Sequence, residues 1–514
     1  MAEQARGAGI GAPFRLVVPA RLSRAFRPLP DWLALALAYF ALALILRASV
    51  IGNAAFHVDE EFYLLVADRM KDGALPFIDV WDRKPLGLFL LYRLFTMLPG
   101  DGVVAYQIAG VAFTAATALV IARLAREIAP PAAAWQAGLA YLCFMPAFNC
   151  ALGQAPVFYN LPMALAALVV VQAMQRVESP DLPRRGALAM LLAGLAIQIK
   201  YAAVFEGVAL GLMLLARAYA DVWPWKRLVL VAFAWIGAAL APTLLALAAY
   251  AAIGHAEAFI QANFLSILAR KGDGAIAWWR FTKEMAALLP FWLAIFLAPR
   301  RMAMPTGVPP VALAVLRLWG VAAFAGFLIF GTFYDHYVGP LLVPLSVLAA
   351  PALGRVKRGE QWYGRFLLGF GAVAAVAVMA FQVREHGTSA QIEDISERIG
   401  QELHGGCLFL YEGDPALYRT TQACLPGRFA FPNHLNTWTE AEALGIDPGQ
   451  EVARIMVARP AVVMVGEWHD LYLPNYLTRA IVKDFLRHDY ERYAGATLGA
   501  RSYGLYRLRH RPLP

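Results

Sequence analysis

Charge is scarce in this chain: Asp, Glu, Lys and Arg make up 16% of its 514 residues, against 60% apolar. With a mean hydropathy of +0.54, that is far more apolar sequence than one soluble core can bury, so a soluble globular enzyme is excluded and a polytopic membrane protein is expected. Cysteine is scarcer still. The four cysteines, Cys143, Cys150, Cys407 and Cys424, show no CxxC or other metal-like spacing, which removes zinc-ribbon and dithiol-redox motifs; Cys407 and Cys424 are a candidate disulfide if their segment lies outside the cytoplasm. The net charge of +9 comes from arginines dispersed between apolar segments, without a basic patch interleaved with aromatics, so nucleic-acid binding is not indicated. No solenoid-period repeat, low-complexity tract or lipidation motif is present.

What the chain has is long apolar runs. Runs of spanning length, about 20 residues, fall near 31–51, 103–121, 132–149, 157–175, 187–201, 202–218, 228–252, 285–298, 311–331, 338–353 and 366–383, predicting about eleven transmembrane helices. Basic residues then sort by side. Arg6, Arg15, Arg21, Arg24 and Arg27 precede the first run, and Arg123/Arg126, Arg176/Arg184/Arg185, Arg217/Lys226/Arg227, Arg300/Arg301 and Arg355/Lys357/Arg358/Arg365 follow in alternate loops; the positive-inside rule makes these cytoplasmic. No apolar leader with a small-residue cleavage site precedes Asp31, so the first helix is expected to stay as an uncleaved anchor. An odd number of crossings then places the chain beyond about residue 384 outside.

Two domains follow: a transmembrane module, 1–385, and a smaller extracytoplasmic α/β domain, 386–514, where CLFLYEG, AVVMVGE and RSYGLYRL read as strands between the amphipathic stretches QIEDISERIGQEL and EVARIMVARP. The outer loops of the first module are 52–102, 149–160, 253–283 and the turn TFYDHYVGP, 332–340.

Function is sought in the first of these loops. HVDEEFYLLVADRM reads as a helix over 58–71; Asp59 and Tyr63 share one face, and Glu60 points about 100° away, so the two neighbouring acids have different roles. Gly73, Pro76 and Pro85 turn the chain so that IDVWDRKP brings Asp82 and Lys84 back toward the same pocket. A carboxylate in reach of a hydroxyl can take its proton, and a lysine can stabilise a departing phosphate. The bland alternative is that Asp59 and Glu60 only favour a helix N-terminus and that Lys84 is an interfacial lysine. Lys200 and Glu206 lie in apolar sequence, where a charge costs about 2.5 to 3.5 kcal/mol and marks a cavity or a pair. Glu467, His469 and Asp470 in GEWHDL could be read as metal ligands, but they lack a fourth partner and a helical register.

The order of these features, DE with Tyr63, then Gly73, Pro76, Lys84-Pro85 and the amphipathic LGLFLLYRLF, resembles the opening of the GT-C membrane glycosyltransferases, in the bacterial branch of the lipid A aminoarabinose transferase and the protein O-mannosyltransferase relatives. GLAIQIKYAAV with Lys200 and YDHYVGPLLVPL with His336, Tyr337, Pro340 and Pro344 carry the resemblance to about residue 350. It implies a single sugar moved from a polyprenyl-phosphate donor to a lipid A, envelope-glycan, lipid or protein acceptor at the periplasmic face of a bacterial inner membrane. By the same resemblance Asp59 is the catalytic base and Glu60 its acidic partner. Lys84, with Lys200, Arg270 and His336, would hold the donor phosphate, and Tyr63, Asp82, Asn160 and Tyr337 would contact substrate. No cofactor is named by these residues, and a divalent metal is left open. The chain departs from the pattern at Leu86, where KPP is usual, and in the second outer loop, where Gln154, Tyr159 and Asn160 stand in place of an acid; Gln154 and Asn160 could hydrogen-bond sugar hydroxyls or simply satisfy a helix end. The alternatives are a transporter or flippase of polyprenyl-linked glycan using Lys200 and Glu206, and a catalytically silent glycan-binding relative.

Overall fold

The computed structural model describes residues 30–176, 180–297, 310–354, 362–467 and 473–509. Arg6, Arg15, Arg21, Arg24, Arg27, Arg300, Arg301, Arg355, Lys357, Arg358, His469 and Asp470 lie outside them.

Every apolar run coincides with helix, and the protein is a mostly helical multi-pass membrane protein. The first nine helices are α1 (Asp31–Arg47), α2 (Val58–Lys71), α3 (Leu86–Phe95), α4 (Gly102–Ala125), α5 (Pro131–Ala147), α6 (Ala155–Met174), α7 (Leu182–Ile197), α8 (Ala203–Ala220) and α9 (Trp225–Ala252). Later helices include Pro310–Phe330, Leu342–Leu353 and Trp362–His386, and the 285–298 run is divided between Ala275–Ala287 and Leu289–Leu297. Among the described residues six helical segments are long and apolar enough to cross a membrane by length and composition, fewer than the eleven expected, because α1, α5, α7, Leu342–Leu353 and the two pieces of the 285–298 run are shorter than that measure requires.

Outer-facing elements are set by local chemistry. His57 is the N-cap of α2, its Nδ1 accepting from the Asp59 amide, and Asp59, Glu60 and Glu61 fill a first turn whose free amides favour negative charge. The helix ends at Asp72, before Gly73 at φ 89°. Its middle, Glu60 through Ala67, is buried, so α2 is a packed strut and not a surface helix.

Residues 389–509 hold a four-stranded sheet, β1 (Leu408–Leu410), β2 (Val462–Gly466), β3 (Tyr490–Leu498) and β4 (Arg501–Leu508), in the order β1-β2-β4-β3, with β1 and β2 parallel and the other pairs antiparallel. The three strands read from sequence are β1, β2 and β4. β3 was not among them: YERYAGATL is polar on one face and broken by a register shift at Arg492/Ala494. Helix Ser389–Leu403 opens on a Thr388/Gln391 capping box and buries Ile392, Ile395, Ile399 and Leu403, the one-face spacing its sequence shows. Cys407 and Cys424 form a disulfide.

Candidate active site

The ends of several helices, the first loop and the sheet-bearing region meet around the N-terminus of α2. Asp59 is half-buried there. Gln154, at the start of α6, donates from Nε2 to Asp59 Oδ2 at 3.2 Å, and the same nitrogen lies 2.9 Å and 3.1 Å from the two ring nitrogens of His57. His336 approaches His57 edge-on, with ring centroids 6.4 Å apart. Burial alone would raise the Asp59 carboxyl, but the charge of Lys84, with the Gln154 hydrogen bond, brings it down to about 2. The carboxylate is therefore ionised at neutral pH. Burial keeps both imidazoles below their ordinary range, His336 strongly so with Lys200 adding to the effect, so they face Asp59 as neutral rings.

Lys84 projects from the turn before α3, its Nζ 3.9 Å from Asp82 Oδ2 and 5.2 Å from the centre of the Tyr63 ring. Burial opposes its charge, but Asp82 and Asp59 outweigh it and raise its pKa. Asp82, buried, faces Lys84 on one side and His434 Nε2 at 3.7 Å on the other. Lys200 follows α7; it is buried, with Nζ 3.8 Å from the centre of the Tyr337 ring, a cation–π seat of the kind a desolvated ammonium favours. Tyr337 in turn packs edge-on against His336 at 4.7 Å. The two lysines thus reach the turn 332–340 and the head of α2 from different directions. Asp59, Lys84, Lys200, His336 and Tyr337 form one cluster.

The remaining candidates stand apart from it in informative ways. Glu60 is fully buried, and burial, with Glu61 and Asp59 adding to it and hydrogen bonding to the Gly153 backbone and Tyr106 opposing it, pushes its pKa up to about 8. It is a neutral acid inside the protein. Tyr63 is 1% exposed, and its hydroxyl is without a partner. Asn160 is 1% exposed and gives Nδ2 to Tyr141 Oη and the Gly339 carbonyl, each at 3.1 Å, tying α6 to the 332–340 turn. Arg270 donates to Glu440 Oε1 at 2.8 Å and Tyr334 Oη at 3.0 Å, with Asp273 at 3.5 Å. Glu206 accepts from Trp319 Nε1 at 2.6 Å, a partner across the bundle and not a pore-lining charge. Among the described residues no group of three or more His, Cys, Asp or Glu is arranged to hold a metal ion.

Sequence reading missed His57, Arg83 and Glu440. The only local signal for His57 was its N-cap position two residues before Asp59; Glu440 had none, since its partners are in other loops.

The family model for dolichyl-phosphate-mannose-protein mannosyltransferase matches residues 83–269. No curated protein sequence matches the chain. Among solved structures, ArnT from Cupriavidus metallidurans bound to undecaprenyl phosphate matches with a TM-score of 0.62 at 14% identity, over 92% of this chain and 97% of that one. The same protein in the apo state gives 0.60 at 15% identity with the same coverage. The apo oligosaccharyltransferase of Archaeoglobus fulgidus gives 0.50 at 11% identity, over 91% of this chain and 80% of that one. The chain has the GT-C fold of these proteins; the structural likeness to ArnT extends over nearly the whole length, and the likeness to the mannosyltransferase model over residues 83–269.

Proposed function

We propose that the protein is a membrane glycosyltransferase that moves one sugar from a polyprenyl-phosphate donor to an acceptor at the periplasmic face, with Asp59 as general base. The observation that carries this reading is the pairing of an ionised, half-buried Asp59 with Lys84 at the head of α2, in a GT-C fold whose ArnT relative is described bound to undecaprenyl phosphate.

The chemistry follows from the charges. An acceptor hydroxyl oxygen attacks the anomeric carbon while Asp59 takes its proton; the bond from that carbon to the phosphate oxygen breaks, and the electron pair leaves on polyprenyl phosphate. Lys84 and Lys200 receive the growing phosphate charge, with His336 and Tyr337 around it. Before the donor arrives, Lys84 depresses Asp59 and makes it a weak base. A phosphate on Lys84 compensates that cation, and the Asp59 carboxyl rises toward the range where a base works well. Donor binding therefore prepares the base.

A bacterial inner-membrane location with a cytoplasmic N-terminus and a periplasmic 386–514 region is supported by the distribution of basic residues and by the Cys407–Cys424 disulfide. The role we assign to 386–514 is to complete the outer wall of the site, since Glu440 reaches Arg83 and Arg270, and Arg419 reaches Glu61. The sugar and the acceptor would be identified by transfer assays with purified protein in nanodiscs and a panel of polyprenyl-phosphate sugars. Transfer lost in both Asp59→Asn and Lys84→Ala is the expected result; activity unchanged in Asp59→Asn would overturn the reading.

A further inference from the structure

Gln154 occupies a position the transfer chemistry above does not use. It is 1% exposed and stands at the N-cap of α6, two residues before Pro156. Its backbone has no freedom to wander: the Gly153 carbonyl accepts from Tyr92 Oη at 2.7 Å, and a Cβ at Gly153 would lie 2.3 Å from that hydroxyl and 2.6 Å from the Tyr106 ring. The side chain is thereby delivered between two residues of the first loop. Its Nε2 carries two hydrogens and has no lone pair to offer, so what it meets must accept. Asp59 Oδ2 accepts at 3.2 Å, and the His57 ring lies against the same nitrogen, Nδ1 at 2.9 Å and Nε2 at 3.1 Å. Turning the amide over would set its oxygen against a carboxylate, so the nitrogen-inward orientation is the one the charges permit.

We propose that Gln154 is the positioning residue for Asp59: its amide fixes the carboxylate rotamer between itself and the His57 cap of α2, and stabilises the Asp59 anion without adding charge. An acid at this position would do the opposite. Two carboxylates at hydrogen-bond distance cannot both ionise, and they would share a proton that the base then could not accept. The amide lets a single carboxylate work beside Lys84. This rests on the glycosyltransferase reading for its role in turnover, but the state of Asp59 can be observed without turnover.

The test uses the full-length protein in nanodiscs with two readouts, for wild type, the near-isosteric Gln154→Glu and Gln154→Leu. The first is a pH titration by infrared difference spectroscopy, each protein against its own Asp59→Asn counterpart, which reports protonation of Asp59 whether or not any donor reacts. The second is kcat and donor KM with the polyprenyl-phosphate sugar that wild type uses. The expected result is that Asp59 protonates at higher pH in both variants, further in Gln154→Glu. With it, kcat at neutral pH falls about 10- to 100-fold, the scale of one hydrogen bond to a charged group, while donor KM holds. Should Gln154→Leu fail to fold, Gln154→Glu carries the test alone. An unmoved Asp59 titration would overturn the proposal, as would a change in KM alone. A shifted titration in a protein that turns over no donor would uphold the amide–carboxylate contact and sink the glycosyltransferase reading instead.

Discussion

Glu440 is clasped by Arg83 across 357 residues of sequence: Arg83 Nη1 donates to Oε1 at 3.0 Å and Nη2 to Oε2, while Arg270 Nε shares Oε1 at 2.8 Å. Arg83 adjoins Lys84. One carboxylate from the sheet-bearing region therefore meets two guanidiniums, one at the edge of the lysine turn and one in the 253–283 segment, and ties that region to the helical part of the chain.

Glu440 sets a pH window for that attachment. Burial opposes its charge, but Arg83 and Arg270 bring its pKa from 4.5 to about 2, so the folded value is depressed. Its stabilisation is present above pH 4.5 and is lost as pH falls toward about 2. Glu440→Gln leaves the half-buried Arg83 without its anion and Arg270 with Asp273 alone, a loss of about 1.5 to 3 kcal/mol, the scale of hydrogen bonds to a charged group. Thermal unfolding monitored against pH should show a lower Tm for the variant at pH 7 and a flatter decline in acid; equal Tm at pH 7 would show that the clasp contributes nothing.

Glu60 gives the opposite sign. Burial raises its pKa from 4.5 to about 8, so folding favours the protonated acid, and stability falls as pH rises from 4.5 to 8. Glu60→Gln should be nearly neutral at pH 5 and should raise Tm at pH 8, with transfer activity retained. If the variant is inactive but well folded, Glu60 acts as an anion in the reaction.

Asp59 and Lys84 should separate in pH profiles. Asp59→Asn is expected to lower kcat about 10² to 10⁴-fold, the usual contribution of a positioned base. In wild type the acid limb of kcat should lie at higher pH than that of kcat/KM for the donor, because only the bound state has a phosphate compensating Lys84. Coincident limbs would contradict the donor-dependent rise in basicity.

The Cys407–Cys424 disulfide closes the segment that carries Ala416–Thr420, the short helix packed on α2, where Arg419 meets Glu61 at 3.4 Å and Arg69 donates to the Ala423 carbonyl at 2.6 Å. A loop of this size contributes about 3 kcal/mol in the chain-entropy account. The Cys407→Ser/Cys424→Ser protein should melt lower and lose protection of residues 407–424 in hydrogen exchange, with reductant reproducing both effects on wild type.

Local patterns carried most of the helical architecture and a limited part of the candidate site. The helix over 58–71 was legible because its cap, acidic first turn and terminal glycine are all within one short segment. β3 was not, since YERYAGATL shows no clean alternation; its hairpin with β4 turns at Gly499–Ala500 and is broken by a register shift at Arg492/Ala494. Asp59 and Lys84 stand out from their apolar surroundings as charges that need a reason. Asn160 uses its amide nitrogen on Tyr141 and the Gly339 carbonyl, while its Oδ1 has no partner among the described residues, a division that only the packing shows. Arg270, a candidate either for the donor phosphate or for a solvated basic turn, is paired with Glu440 and Asp273, which only the tertiary structure shows.

By itself the sequence determined that this chain lives in a membrane, where its helices run, and which few charges stand at their outer ends, because hydropathy, capping and periodicity act over neighbouring residues. Only the tertiary structure decided that Gln154 meets Asp59, that Glu440 meets Arg83, and that Glu60, one residue from Asp59, is sealed away as a neutral acid. Those outcomes depend on which distant surfaces pack together, and on the desolvation and charge that packing imposes, neither of which is encoded in any single segment.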